Sequence, residues 1–426
     1  MTITFFGVIW LLLLFFCILS NKLKPIVSVL LFSMILQSTN VLIVGGIGIG
    51  PHIITSCVFI VKSFLFPINE KSEISISFKW LFAVYTIFLL YILFNGLFIN
   101  HFSSWTGAIM IAIYLFSAYR LLNVGHMIDK KYIEKNIDFL VVFTLIIGAI
   151  VCLQQVGLFP NIGLLKVIFF NDEISGTVAY NTITTHRFYA TFMEPSYCAC
   201  FLVGCIAYYL CTGKTTTKYI ALIVFLSLAL VLTMSSTGYG CFALVLFLFL
   251  ISRTNKKTIK IILPAGIFAV LLFLVLFPNL LNDVIFSKLT TASGQTRQNW
   301  NLFALESFYS SPVFGIGFSN QRASSLFYTL IAELGIIGVI IYFIFLAIIV
   351  ATILLVNYKK QKKQFLFFVF AVIVGQIIAC PDYNFCVFWL SIYLLALGEN
   401  PKEVSLRRYG KTNLSPKTKR ALLGGL

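Results

Sequence analysis

The sequence predicts an all-α fold: a polytopic membrane protein of about 12–13 transmembrane helices with two large loops on its outer face. Three observations lead there. Hydrophobic residues fill 60% of the 426 positions and charged residues only 11%, against roughly 25% charged in soluble domains. Apolar runs of about 20 residues recur from end to end, each long enough to cross a hydrocarbon core of roughly 30 Å. The runs are continuous, whereas a transmembrane β-barrel needs short alternating segments.

In chain order the expected spans are roughly 3–20, 25–45, 51–68, 79–99, 107–124, 138–158, 191–211, 217–234, 237–252, 259–277, 325–356, 364–380 and 385–398. The split between 217–234 and 237–252 rests on a short polar break, SSTG. Together these spans form one transmembrane domain, 1–398, followed by a basic tail, 399–426. The first run lacks a basic start and further spans follow it, so no cleaved signal peptide is expected.

Charge sets the orientation. Most of the 31 lysines and arginines fall in one set of alternate loops, marked by Lys22 and Lys24, Lys71 and Lys79, Lys130 and Lys131, Lys214 and Lys218, Arg253 and Lys256, Lys359 and Lys360, and the tail. The other set holds only Lys166, Arg187, Lys288, Arg297 and Arg322. Cytoplasmic loops carry the basic excess, so the rich side, with the C-terminus, is cytoplasmic. The net charge of +17 is therefore a topology signal and calls for no nucleic-acid partner. Lys62 and Arg120 lie inside spans near the basic side, where long stems snorkel to the interface.

Two large connections remain on the outer side, about 159–190 and 278–324. Loops beyond about 15 residues are usually functional or disordered. These two mix aromatics, glycines and apolar residues, and ordered functional loops are expected. The span 325–356 would be a helix of about 48 Å, so its first turns, with Tyr328 and Glu333, should reach the outer interface. Residues 295–310 should form a short helix with Arg297, Asn301 and Leu305 on one side.

Few outer charges exist, so each can be weighed. The acids are Asp172, Glu173, Glu194, Asp283, Glu306, Glu333 and Asp382. Glu194, in RFYATFMEPSYCACF, begins an apolar run with Pro195 next to it. It either caps a helix start, where the dipole favours an anion, or serves as an acid, a base or a partner to Arg187. Arginine grips phosphate through a planar fork and stays charged. Arg187, Arg297 and Arg322 could thus hold a pyrophosphate, or each could be a solvated loop residue. His186, beside Arg187, is the best histidine for a general base, though a plain loop histidine fits as well. No DxD-type motif occurs, so no metal or other cofactor is expected. Asp382, in CPDYNFC, either holds structure or lines the cavity. GGIGIGP at Gly45–Pro51 should be an outer turn between spans with no strand before it, which rules out a nucleotide loop. The ten cysteines lie mostly in apolar runs, where small residues pack helices; Cys380 and Cys386 flank a short loop and could pair.

Three stretches then carry a resemblance: HRFYATFMEPSYCACF, GQTRQNWNLFALESFYSSPVFGIG with its P-x-x-G-x-G turn, and LIAELGIIG with its E-x-G. In this order the chain resembles the O-antigen polymerase and O-antigen ligase (Wzy-type) superfamily, over about Thr185 to Leu397. It departs from that pattern at LTMSSTGYG, where many members carry serine-arginine. It departs again at Ser324 and Ser325, where ligases carry a histidine; this makes it more similar to a polymerase.

The resemblance implies a bacterial inner-membrane glycosyltransferase that joins polyprenyl-pyrophosphate-linked oligosaccharide repeats into O-antigen or capsule. Arg187 and Arg297 would stabilise the leaving pyrophosphate. Glu194 or His186 would take the hydroxyl proton or orient an arginine. Arg322, Tyr189, Trp300, Tyr328 and Glu333 complete the expected substrate-binding set, and the spans would hold prenyl tails among membrane lipids. Whether a chain-length regulator binds stays open. The rivals are a ligase moving glycan onto a lipid acceptor, a transporter of the lipid-linked oligosaccharide, and a non-catalytic subunit. A transporter tends to show inverted repeats, and no internal repeat is visible.

Overall fold

A computed structural model describes residues 1–67, 76–100, 105–158, 168–171, 187–214, 216–253, 292–355 and 360–399. Among these the chain is mostly helical, with one small sheet. Five helices are long and apolar enough to cross a membrane: Phe78–Ile99, Thr106–Met127, Lys130–Gln155, Pro195–Thr212 and Leu326–Leu354. The outside is apolar too. Phe15, Phe16 and Leu19, then Val224, Phe225 and Leu228, then Ile336, Ile340 and Ile344 are all exposed. Continuous apolar surface of this kind suits lipid and not water. These are the features of a membrane protein.

The helices are α1 (Phe5–Leu19), α2 (Lys24–Ser33), α3 (Pro51–Ser63), α4 (Ile76–Phe94, closed by a π turn over Asn95–Ile99), α5 (Thr106–Val124), α6 (Lys130–Gln155), α7 (Pro195–Thr212), α8 (Thr217–Leu232), α9 (Ser236–Arg253), α10 (Ala292–Ser310), α11 (Leu326–Leu355), α12 (Lys360–Ala379) and α13 (Cys386–Gly398). The hub is α7. It is apolar all round and buried along almost its whole length, as a core helix should be. It packs against α12, α8 and α9, while α12 also meets α13 and α11, and α11 meets α4 and α10.

Polar contacts define two ends of the bundle. At the lysine end, Lys214 reaches Glu134 at 2.9 Å, and Lys218 reaches Asp138 at 2.5 Å. Asp138 also accepts the Tyr209 hydroxyl, and Lys24 pairs with Asp129. The other end gathers Arg187, Arg297 and Arg322. The basic tail expected at 399–426 lies outside the described residues except for Glu399, and so does the span expected at 259–277.

Three expectations change. First, 25–45 is not one helix. α2 stops at Ser33, whose hydroxyl turns back onto the Leu30 carbonyl. Strands β1 (Thr2–Ile3), β2 (Leu42–Val44) and β3 (Ile47–Ile49) then form an antiparallel sheet in that order. Gly45 and Gly46 have φ of 58° and 81°, the pair of positive values a tight hairpin turn needs. GGIGIGP is thus a hairpin leading into α3, with a strand before it where the sequence predicts a plain turn between spans.

Second, Lys62 and Arg120 do not snorkel: both side chains are buried. Lys62 donates to the Cys17 and Ser20 carbonyls, capping the end of α1. Arg120 donates to the Ser63 hydroxyl at 2.8 Å and the Ser63 carbonyl at 2.6 Å, over the Phe64 ring. Helix C-termini leave carbonyls unpaired, and a cation there satisfies them. Arg120→Met should cost about 1.5–3 kcal/mol, the worth of a charged hydrogen bond. A thermal melt in detergent against wild type checks this.

Third, α11 is not continuous. Gly335, with φ 60° and ψ −161°, breaks it into two helices.

Candidate functional site

Two adjacent turns lock into each other at the arginine end. The break at Gly335 frees backbone groups of α11, and the segment Pro312–Gly317 takes them up. The Ile316 amide donates to the Ala332 carbonyl at 2.9 Å and the Gly317 amide to Glu333 at 3.0 Å. In return the Ile336 amide donates to the Pro312 carbonyl at 2.9 Å. The fit leaves no room for side chains: a Cβ on Gly315 would strike the Glu333 backbone, and one on Gly335 the Val313 carbonyl. So P-x-x-G-x-G and E-x-G, far apart in role when read as separate motifs, are two halves of one backbone joint.

Helix α4 clamps this joint. Asn95 Nδ2 donates to the Phe314 carbonyl at 2.7 Å, Asn100 Nδ2 to Gly315 at 2.8 Å, and the Tyr91 hydroxyl to Leu334 at 2.9 Å. The two asparagines belong to the π turn and its cap, a device common at functional sites. Glu333 is buried beneath the loop. Its Oε1 accepts the Gln321 amide at 3.3 Å, and Tyr383 lies beside it. This glutamate therefore shapes the loop that presents Arg322.

The second segment approaches from α7. Glu194 is the residue before the helix, with Pro195 in its first turn, but its side chain makes no cap hydrogen bond to the backbone. The carboxylate instead accepts from the Ser196 hydroxyl at 3.1 Å and faces Arg297 Nη2 at 3.8 Å. Arg187 is held from a third direction. Its Nε donates to the Thr233 carbonyl at 2.8 Å and its Nη2 to Met234 at 3.3 Å. The break LTMSSTGYG, which lacks an arginine of its own, thus anchors this one by its carbonyls. Phe188 fixes the approach, with its amide on the Leu232 carbonyl and its ring against Gly148.

Electrostatics tie the groups together. Burial and the neighbouring Arg297 guanidinium lower the Arg187 pKa from the usual arginine value; Glu194 and Tyr239 oppose that. Arg322 is raised. Burial works against its charge, but Asp382, Tyr197 and Glu194 outweigh it. Arg322 Nη2 lies 3.3 Å from both Asp382 Oδ2 and the Tyr197 hydroxyl. Glu194 thus acts on all three arginines, through the 3.8 Å ion pair with Arg297 and at longer range on Arg187 and Arg322.

Trp300 is exposed on α10, one turn beyond Arg297. Asn301, also on that face, accepts from the Ser324 amide and hydroxyl and so ties α10 to the Arg322 loop. Tyr328 is half-buried against Ala304, Ala323 and Ala332. Tyr189 is buried with Ile147, Val151 and Phe170, so its ring is not presented for stacking. His186 lies outside the described residues, as does most of the loop expected at 159–190. Among the described residues no cluster of His, Cys, Asp or Glu could hold a metal. The Cys380 thiol faces Cys200, with Sγ atoms 3.7 Å apart, and is not joined to Cys386.

Sequence reasoning passed over Tyr91, Asn95, Asn100 and Tyr197. Asn95 did carry a signal, as an amide inside an otherwise apolar run. Comparison with protein-family models and with curated proteins gives no match to this chain.

Proposed function

We propose that this chain is a membrane glycosyltransferase that polymerises oligosaccharide repeats carried on polyprenyl pyrophosphate, at the outer face of a bacterial inner membrane. One observation carries the reading most: Arg297 faces the Glu194 carboxylate at 3.8 Å, and Arg187, held on a separate segment, lies near enough to both for their charges to act on it. Two guanidiniums and one carboxylate leave unbalanced positive charge. A pyrophosphate is the anion that planar, paired guanidiniums suit best. Charge develops on that group as the anomeric bond breaks, and fixed cations stabilise it. No metal is needed for the neutralisation. The proposed orientation puts the arginine end outside and the lysine end, with its basic loops, in the cytoplasm.

The test is glycan length on a gel, in a deletion strain with and without the wild-type gene. A ladder that needs the gene supports the polymerase. A ladder that forms without it but stays on the polyprenyl carrier points to a ligase. Lipid-linked repeats trapped on the inner leaflet would point to a transporter, and an unaltered glycan to a non-catalytic subunit. Glu194→Gln should lower polymer yield by up to about tenfold, because the ion pair it removes is half-exposed and such pairs are worth little. Densitometry of the ladder, with membrane levels matched, checks it.

A further inference from the structure

We propose that Asp382 is the general base that activates the acceptor sugar hydroxyl. This rests on the polymerase reading above. The loop Pro381–Phe385 joins α12 to α13 at the arginine end. Its backbone is fixed: the Asp382 carbonyl accepts Gln376 Nε2 at 2.8 Å and the Phe385 amide at 3.2 Å. The carboxylate is held on one side only. The Tyr197 hydroxyl and Arg322 Nη2 both bind Oδ2. Among the described residues Oδ1 has no partner, and the side chain is 38% exposed. A carboxylate pinned through one oxygen with the other open is oriented to accept a proton.

Its rival is Glu194, which is likewise held through one oxygen, its Oε2 meeting Ser196 and Arg297. What separates the two is place: Glu194 faces an arginine assigned to the leaving pyrophosphate, whereas Asp382 pairs with Arg322 and Tyr197 beside that site. The two carboxylates are linked through α7. Tyr197, which holds Asp382, stands one turn beyond Glu194, a rise of about 4.5 Å along the helix. A base on that neighbouring position serves an acceptor lying beside the pyrophosphate site and not on it.

The acceptor O–H bond breaks and its proton goes to Asp382 Oδ1. The oxygen's electron pair forms the new bond to the anomeric carbon. The bond from that carbon to the pyrophosphate oxygen breaks, and its pair leaves with polyprenyl pyrophosphate. Asp382 then returns the proton to water.

The experiment compares wild type, Asp382→Asn, Asp382→Glu and Arg187→Ala in two assays. One is the glycan ladder in the deletion strain. The other is binding of undecaprenyl pyrophosphate to the purified full-length protein in nanodiscs. General bases typically contribute about 10²–10⁴-fold. Asp382→Asn should therefore cut polymer at least about 100-fold while binding undecaprenyl pyrophosphate within about twofold of wild type, and Asp382→Glu should keep part of the ladder. Arg187→Ala should lose the binding. Near-normal polymer from Asp382→Asn would overturn the base and leave the polymerase reading intact. Loss of ladder together with loss of binding or accumulation would also overturn it, by making Asp382 a structural anchor. If the wild type itself neither binds undecaprenyl pyrophosphate nor builds a ladder, the reading beneath the proposal fails, and the base fails with it.

Discussion

Replacing Arg187 or Arg297 with alanine should lower polymer yield about 100- to 1,000-fold, leaving single repeats where wild type gives a ladder. That is the loss seen when one preorganised donor to a developing anion is removed, about 2.7–4 kcal/mol. The two arginines should not behave identically. Arg187 has its Nε and Nη2 on the Thr233 and Met234 carbonyls, so its removal also frees the α8–α9 turn. Arg297 is on the exposed side of α10 and, among the described residues, its polar partner is Glu194 at 3.8 Å, so its loss should leave stability nearly unchanged. Lysine should rescue Arg297 better than Arg187, because an ammonium can supply charge but cannot reproduce the planar bonding to two carbonyls. The measurement is ladder length and yield with protein levels matched, plus a melt for each variant. A full ladder from both alanine variants would remove the arginine pair from the reaction.

Arg187, Glu194 and Arg297 were legible because charges are rare in this chain: the first two stand at the edge of an apolar run and the third in a polar stretch between spans. Their convergence was not legible, since it depends on α7, α8 and α10 meeting in space. The capping alternative for Glu194 was reasonable from Pro195 alone, yet the carboxylate turns away from the helix amides toward Arg297. Periodicity misjudged 25–45, because apolar residues continue through a hairpin whose only warning was the pair Gly45–Gly46 and the polar run before it. It also misjudged α11. An unbroken apolar stretch hides a break whenever another segment supplies the missing hydrogen bonds, and here Pro312–Gly317 supplies them. Lys62 and Arg120 show the same limit: their partners, the ends of α1 and α3, are far away in sequence.

The break in α11 leads to the second large effect. Gly335→Ala should be among the most damaging single changes in the described chain. With φ 60° and ψ −161°, Gly335 occupies a region essentially reserved for glycine, where other residues cost about 1–3 kcal/mol. The added methyl would also lie against the Val313 carbonyl and the Gly315 amide, which are backbone atoms and cannot swing aside. Parting the two turns would expose the Ile316, Gly317 and Ile336 amides, each unpaired group costing about 1–3 kcal/mol when buried. The total exceeds about 4 kcal/mol, beyond the usual range for one substitution. Gly315→Ala should act alike, since its methyl meets the Glu333 backbone from the other side. Gly45→Ala is the control. Its φ of 58° is just as positive, but a Cβ there meets nothing within 4 Å, so only the conformational cost of about 1–2 kcal/mol applies. The expected order in a thermal melt is wild type, then Gly45→Ala, then the two joint variants well below, with no ladder from either. Because the joint carries the loop that presents Arg322, its variants should lose activity even in the fraction that remains folded. If Gly335→Ala melts like Gly45→Ala and still builds a ladder, the two turns are not interlocked, and Arg322 must be held by Asp382 and Tyr197 alone.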